Sequence, residues 1–106
     1  MTIRELIERG HTIGEYARDA SGLTVAPENH TAVCWCLAGA RLAAYANNGP
    51  ALVASRSAMY EFVLNYLAGQ EELINVTRFN DNPDIPFSVK LACADAGDEA
   101  ARKTLD

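Results

Sequence analysis

Residues 32–46, AVCWCLAGARLAAYA, decide the expected architecture of the chain. Drawn as a helix, this stretch is apolar on nearly every face, and its one charge is Arg41. A helix that is apolar all round must be surrounded by other parts of the protein. We therefore predict a central, buried helix from about residue 32 to residue 47, which Gly49 and Pro50 end.

The residues before this stretch predict a short helix and a tight turn. Thr2 and Glu5 have the spacing of a capping box, and Gly10 follows the apolar run that they open. The next segment, YARDASGLTV at residues 16–25, places two semi-apolar halves around DASG, a sequence typical of tight turns. We expect a small β-hairpin or an ordered loop there.

The residues after the central stretch predict three further helices. One runs from about residue 51 to residue 68 and carries apolar side chains on most of its faces. A short one covers residues 71–79, and the last opens at Asp84 and Pro86. The segment 95–106 is charged and poor in large apolar residues, so we expect it to be solvated and prone to fraying.

Length and composition indicate one domain. The chain has 106 residues, of which 49% are hydrophobic and 22% are charged, as in ordinary globular proteins. A chain of this length forms one modest core. We therefore predict a single, mainly α domain over residues 1–106. It is a compact array of four or five helices with a small β-hairpin or ordered loop after the first helix.

The charge and the apolar runs argue against two classes of partner. The formal net charge is -5, and no run of Lys or Arg occurs that would follow a phosphate backbone. No uninterrupted apolar run approaches the roughly 20 residues that a membrane span needs. We expect no direct binding of nucleic acid and no membrane segment.

The N-terminal segment and the cysteines indicate a reducing compartment. Charged residues at positions 4, 5, 8 and 9 interrupt the apolar stretch that a secretion signal needs. Cys34, Cys36 and Cys93 are an odd number of cysteines, which fits free thiols better than a disulfide framework. We predict three free thiols and a cytoplasmic location, in a bacterium or in a cell infected by a phage.

Three stretches resemble one known family. They are GHTIGEYARDASGLTVAP at residues 10–27, AVCWCLAGA at 32–40 and FNDNPDIPFSVKLACADA at 79–96. Together they resemble a family of small bacterial and phage proteins that is described only as a domain of unknown function. The chain departs from that family at His11, where tryptophan is usual, and at the extra Cys34, and the resemblance implies no reaction. The residues that carry it are Gly14, Ala17, Arg18, Asp19, Trp35, Cys36, Gly39, Ala40, Asn80, Asp81 and Pro83.

The cysteines allow a catalytic hypothesis that simpler interpretations outweigh. Cys34 and Cys36 fall in the first turns of the predicted helix, where the helix dipole can activate a thiol. With a histidine, His11 or His30, and with Asn80 they provide the residue types of a Cys-His-Asn nucleophile. Buried cysteines more often pack as small apolar groups. Metal-binding spacings and the common catalytic motifs are absent, so we predict no catalytic residue, no metal and no cofactor.

Other motif residues have structural interpretations. Gly39 and Ala40 lie in the middle of the predicted helix, where small residues allow the close approach of another backbone. The alternative is that they contact a cofactor. Arg41, in an apolar helix, either reaches solvent or pairs with an acid such as Asp19 or Asp81.

Two classes of function stay open. Small size, acidity, apolar surface and missing catalytic motifs favour a non-enzymatic interaction or regulatory protein, with which a phage or mobile element modulates a host protein. Its partner is another protein, and the wide apolar girth of helix 51–68 favours a homodimer. The alternative is a small enzyme or a ligand-binding protein. The residues of that site would be Cys36, Arg18, Asp19, Asn80 and Asp81, with Arg41 as a further motif residue.

Overall fold

The helical architecture predicted from the sequence is confirmed. The computed structural model describes residues 1–68 and 75–105 of the chain. Within them, five helices make up most of the structure, and a small two-stranded antiparallel sheet follows the first helix. The elements are α1 (Ile3–Arg9), β1 (Ala17–Asp19), β2 (Ala32–Trp35), α2 (Leu37–Ala44), α3 (Gly49–Tyr66), α4 (Val76–Asp81) and α5 (Phe87–Leu105).

The first helix begins and ends where the sequence predicts. Thr2 Oγ1 accepts a hydrogen bond from the Glu5 N–H (3.1 Å), and the Glu5 carboxylate accepts one from the Thr2 N–H (2.8 Å). These two bonds form the predicted capping box, and hydrogen bonds from the Thr2 N–H and the Thr2 side chain to the carboxylate lower the pKa of the Glu5 carboxyl. Gly10 follows the last turn. The helix buries one apolar face, formed by Ile3, Leu6 and Ile7.

An aspartate of α5 completes the N-terminus of α1. Asp98 Oδ1 accepts a hydrogen bond from the Ile3 N–H (2.8 Å), and Asp98 Oδ2 accepts one from the Arg4 N–H (3.1 Å). The Tyr45 hydroxyl also donates to Asp98 Oδ1 (2.6 Å), and burial together with this carboxylate raises the Tyr45 pKa. The first amides of a helix need acceptors from outside it, and a negative charge there is stabilising. Asp98 therefore joins α5 to the start of α1 and to the end of α2.

Replacing Asp98 with asparagine should lower the free energy of unfolding by about 2 kcal/mol. The amide keeps the size of the side chain, but it loses the charge and points a donor at N–H or O–H groups. Urea unfolding followed by circular dichroism measures the loss. Glu99→Gln is the control, because Glu99 is exposed and pairs with Arg102 on the same helix (2.6 Å), and it should cost less than about 0.5 kcal/mol. Equal losses in the two variants would contradict this role of Asp98.

The predicted start of the central helix is wrong, because Ala32–Trp35 forms strand β2. This strand pairs antiparallel with β1, with Ala17 opposite Trp35 and Arg18 opposite Cys34. Valine and tryptophan fit a pleated strand well, and the pairing with β1 supplies the hydrogen bonds that a helix would otherwise supply. Only Ala32 and Trp35 of this segment are buried, whereas Val33 is 47% exposed, so its apolar residues do not form the buried face of a helix.

Helix α2 begins at Leu37 because Cys36 caps it. The Cys36 backbone is extended (φ -83°, ψ 173°), and Cys36 Sγ accepts a hydrogen bond from the Gly39 N–H (3.2 Å). The sulfur thus occupies the position that a serine or aspartate oxygen usually occupies at a helix start. The buried central helix of the prediction is therefore shorter and ends at Ala44.

The turn predicted in residues 16–25 is present, but the regular strand pairing lies elsewhere. The Gly22 N–H donates to the Asp19 carbonyl (2.9 Å), and Arg18 and Thr24 form an isolated bridge across the turn. β1 forms its ladder with β2, which comes later in the chain. The small sheet is therefore closed by a long connection and not by a tight hairpin.

The later helices form the rest of the core. Gly49 and Pro50 open α3 and do not end α2, because Asn48 Oδ1 accepts a hydrogen bond from the Ala51 N–H (3.0 Å) and caps the new helix. α3 packs along α5, and α1 packs against α2 and α5. The largest side chains with no more than 1% of their surface exposed in this core are Phe79, Ile3, Ile7, Leu37, Met59 and Val63.

The last two helices differ in how closely they follow the prediction. α4 covers Val76–Asp81, whereas the short helix predicted over residues 71–79 falls partly on residues 71–74, outside the described residues. α5 starts directly after Pro86, as predicted, and continues to Leu105 with its last residues exposed. None of the helices in the described ranges is long and apolar enough to cross a membrane.

Candidate functional site

Asn80 is the centre of a buried hydrogen-bond network. Its side chain is fully buried, and its Oδ1 accepts a hydrogen bond from the Leu37 N–H (3.0 Å). Asn80 Nδ2 donates to the Thr12 carbonyl (3.1 Å) and to Asp81 Oδ1 (2.9 Å). His11 Nε2 lies 2.7 Å from Asn80 Oδ1. The Leu37 amide identifies Oδ1 as the acceptor atom of the Asn80 side chain. His11 Nε2 therefore carries a hydrogen and donates a hydrogen bond to Asn80 Oδ1.

Asp81 extends this network to the surface. Asp81 Oδ1 accepts the bond from Asn80 and a second one from the Gly14 N–H (3.2 Å). Gly14 has a φ of 80°, a left-handed conformation that favours glycine, so the turn that presents this amide depends on the residue type. Two donors thus hold one oxygen of the Asp81 carboxylate. Oδ2 has no hydrogen-bond partner among the described residues, and because it is not a buried unsatisfied atom, it keeps some solvent-accessible surface.

A cavity of about 500 Å³ lies beside Asp81. It brings together the loop before β1, the loop between β1 and β2, the cap of α2 and one side of α4. The residues that line it are Gly14, Glu15, Tyr16, Thr24, Val25, Ala26, Pro27, Cys36, Thr77 and Asp81. Of the motif residues proposed for an enzymatic or ligand site, Cys36 and Asp81 therefore line one cavity, with Asn80 directly behind Asp81.

Cys36 is a protonated thiol in this wall. Burial raises the pKa of the Cys36 thiol, and the neighbouring Asp81 carboxylate raises it too, against the lowering effect of the Gly39 amide. His11, which a nucleophilic cysteine would need as a base, donates to Asn80 instead. A thiol that stays protonated at neutral pH is a poor nucleophile. The described residues therefore do not assemble a Cys-His-Asn nucleophile.

The other two cysteines lie apart from the cavity. Cys34 is on β2, where its thiol lies 3.9 Å from the Arg18 carbonyl oxygen. Cys93 is buried in α5, and burial raises its pKa to about 12. All three cysteines are free. Among the described residues, no three His, Cys, Asp or Glu side chains are grouped so that they could bind a metal ion.

Arg18 and Asp19 stabilise the loops around the cavity and do not line it. The Arg18 guanidinium donates to Thr12 Oγ1 (3.1 Å) and to the Gly22 carbonyl (3.1 Å). Asp19 Oδ1 accepts from the Ser21 hydroxyl (2.7 Å) and from two backbone amides, which lowers the Asp19 pKa. Both side chains are satisfied by their own loop, so their roles in this geometry are structural.

Arg41 does not form the ion pair that the sequence suggests. Its guanidinium donates to the Leu52 carbonyl (2.7 Å), and Asp19 and Asp81 are bonded elsewhere. Partial burial lowers the Arg41 pKa, and the charge of Arg56 lowers it further. The interpretation of Arg41 as the partner of one of these acids is therefore wrong.

Gly39 has the close backbone neighbour that the sequence predicts. A β-carbon added at Gly39 would collide with the Tyr16 carbonyl, which also accepts a hydrogen bond from the Cys36 N–H (3.1 Å). Ala40 is buried beside it, and the Trp35 indole N–H donates to the Pro27 carbonyl (2.9 Å). These motif residues hold the loop before β1 against the start of α2. His30, which the sequence offers as the histidine of a Cys-His-Asn nucleophile, is exposed in a loop.

Sequence reasoning missed most of the cavity wall. Glu15, Thr24 and Thr77 carry polar groups on it, yet each is an ordinary surface residue in the sequence. These three residues lie close together only because of the path of the long connection between β1 and β2 and the position of α4. Of the lining residues, only Gly14, Cys36 and Asp81 were singled out in the sequence, as motif residues of the resemblance.

The comparisons with known proteins identify a family without an assigned activity. No curated protein and no solved structure matches the chain. The model of one family, described as a family of unknown function (DUF6197), matches residues 2–99. Because this match covers nearly the whole sequence, the chain belongs to the DUF6197 family.

Proposed function

We propose that the protein is a non-enzymatic interaction protein that works as a homodimer through one face of α3. The observation that carries the proposal is a row of exposed apolar side chains: Val53 is 67% exposed, Tyr60 46% and Leu64 41%. Their spacing of seven and four places them on one side of the helix, with Ser57 between them. The opposite side faces the core and is formed by Ala51, Ser55, Met59 and Val63.

The charges beside this row suit a second copy of the chain. Arg56 and Glu61 are exposed and lie on opposite flanks of the row, five residues apart. In two parallel helices related by a two-fold axis, residues with this offset face each other across the interface. Arg56 of each chain would then pair with Glu61 of the other, twice in the dimer. This self-complementarity favours a second copy over an unrelated partner.

The hydrogen bonds of the motif residues favour an interaction protein over an enzyme. Arg18, Asp19 Oδ1 and the Asn80 amide form hydrogen bonds within the fold, and Cys36 caps a helix with a thiol whose pKa is raised by burial. Catalytic groups need free, activated atoms directed at a substrate. Such engagement supports structural roles for these residues.

The finer parts of the proposal concern source and partner. The motif resemblance supports an origin in a bacterium or a phage, and we place the protein in the cytoplasm of that cell. With a net charge of -5 per chain, the dimer would present an acidic surface that suits a basic region of a host protein. Its role would then be to modulate that host protein.

The proposed interface predicts a specific effect of charge exchange. Wild-type protein should sediment as a dimer at tens of micromolar concentration, and Leu64→Glu should make it monomeric. Arg56→Glu should weaken the dimer by at least about tenfold, because it places two carboxylates opposite each other at both flanks. The double variant Arg56→Glu with Glu61→Arg should restore it. Sedimentation equilibrium measures all four dissociation constants.

A matched control separates the interface from general surface effects. Leu23 is 66% exposed in the loop between β1 and β2, so Leu23→Glu adds the same charge away from α3 and should leave the dimer intact. A monomeric wild type, or a double variant that is as weak as Arg56→Glu alone, would contradict the proposal.

A further inference from the structure

The cavity beside Asp81 has the size and the composition of a small-molecule site. Its volume of about 500 Å³ lies within the range of ligand cavities. Apolar surface from the segment Val25–Pro27 and from Tyr16 forms part of the wall, and the hydroxyls of Thr24 and Thr77 can orient a ligand. Such a wall of apolar groups with few polar ones is typical of sites for small organic molecules.

The Asp81 carboxylate is prepared to accept a donor from a ligand. Asn80 and the Gly14 amide hold its Oδ1, and Asn80 is itself fixed by Leu37 and His11. Its orientation is therefore set before any ligand arrives, and Oδ2 stays free for a ligand. A positioned carboxylate binds more strongly than a mobile one because little side-chain freedom is lost on binding.

Asp81 forms no ion pair with a cation of the described residues. Arg4 forms ion pairs with Glu8 and Asp95, and Arg102 forms one with Glu99. None of these residues lines the cavity. Lys90 is close enough for Asp81 to influence its pKa, but burial lowers that pKa more, and the two side chains form no ion pair. Glu15 adds a second carboxylate to the cavity wall. The cavity lining therefore carries two carboxylates and no lysine or arginine, and Lys90 lies outside that lining.

We infer that this cavity binds a small organic cation, an amine or amidinium on an apolar body. The charged nitrogen donates to Asp81 Oδ2, and the apolar body lies against the wall of Val25, Ala26 and Pro27. The protonated thiol of Cys36 packs beside the ligand and forms no bond with it. This inference is independent of the dimer, because none of the cavity residues belongs to α3.

Three probes of the same size and different charge test the inference. Benzylamine, benzyl alcohol and benzoate are titrated into the 15N-labelled protein at neutral pH, and amide shifts are followed by NMR. Benzylamine should shift the amides of the cavity residues, Gly14 and Thr77 among them, with a millimolar dissociation constant that is usual for such small ligands. Benzyl alcohol should bind at least about tenfold more weakly, and benzoate should not bind.

Two variants remove the charge preference in different ways. Asp81→Asn keeps an oxygen for the Gly14 and Asn80 donors but loses the charge, so benzylamine should bind no better than benzyl alcohol. Thr77→Lys adds an ammonium at the exposed wall of the cavity without touching the Asn80 network, and it should abolish binding of benzylamine. Asp84→Asn is the control, because it makes the same charge change at an exposed residue outside the cavity lining.

Each other result overturns the inference. Equal binding of benzylamine and benzyl alcohol would show that Asp81 is not the anchor. A loss in Asp84→Asn as large as in Asp81→Asn would assign the effect to net charge. Amide shifts confined to residues outside the cavity, or no amide shifts in the wild-type protein, would show that the cavity does not bind benzylamine. Sedimentation of the same samples reports the dimer separately.

Discussion

Replacing Asn80 with alanine should lower the free energy of unfolding by at least about 3 kcal/mol. Three groups lose their partner at once: the Leu37 N–H at the start of α2, the Thr12 carbonyl and the His11 ring. Because Asn80 is fully buried, water cannot readily replace these bonds, and each unsatisfied group costs free energy. The removed atoms also leave a small cavity between α4, α2 and the loop after α1.

Chemical unfolding of two further variants separates this network from the simple loss of an amide. Asn80→Asp keeps the shape but replaces the donor Nδ2 with an oxygen that faces the Thr12 carbonyl and Asp81, so it should destabilise the protein as much as alanine does. Asn65→Ala, at an exposed position of α3, should change the stability by less than about 0.5 kcal/mol. A near-wild-type midpoint for Asn80→Ala would show that the network is dispensable for stability.

Replacing Gly39 with alanine should cost at least about 3 kcal/mol, the upper end of the effect of overpacking. The added β-carbon meets the Tyr16 carbonyl oxygen and carbon, which are backbone atoms at the start of the small sheet. Backbone cannot rotate away as a flexible side chain can. The Tyr16 carbonyl also accepts the Cys36 N–H, so relief of the clash would break the bond that joins β1 to the cap of α2.

Gly49→Ala is the matched control for this prediction. Gly49 is also in the first turn of a helix, but a β-carbon added there meets no atom within 4 Å. The change should be neutral or stabilise the protein by up to about 1 kcal/mol, because alanine restricts the unfolded chain. Thermal unfolding of both variants measures the difference. Equal midpoints would contradict the close packing of Gly39 against Tyr16.

The helices were predictable to the extent that their ends carry local signals. The capping box of Thr2 and Glu5 fixed α1, and Pro86 fixed the start of α5, because caps and prolines act within one turn. Gly49 and Pro50 were predicted as a stop, but the same residues open α3, since proline is tolerated in a first turn. A breaker between two helices marks a boundary without saying which helix it belongs to.

The strand Ala32–Trp35 was not predictable from its own residues. An apolar run of this kind is compatible with a buried helix or a buried strand. The choice depends on β1, whose backbone groups pair with it from an earlier part of the chain. The candidate site has the same limit: Asn80 and Asp81 stood out as motif residues, but their link to Gly14 and His11 exists only after α4 has packed against the loop.

The cap that Asp98 provides for α1 has a consequence for the order in which the protein can fold. α1 is synthesised before α5, yet two of its leading amides find their acceptor more than ninety residues later in the chain. During synthesis this helix is shorter than the length at which isolated helices are stable in water, and it lacks that carboxylate. α1 is therefore expected to form durably only after α5 has docked. Contacts so distant in sequence slow folding, so a nascent chain cut before Asp98 should remain open to proteases.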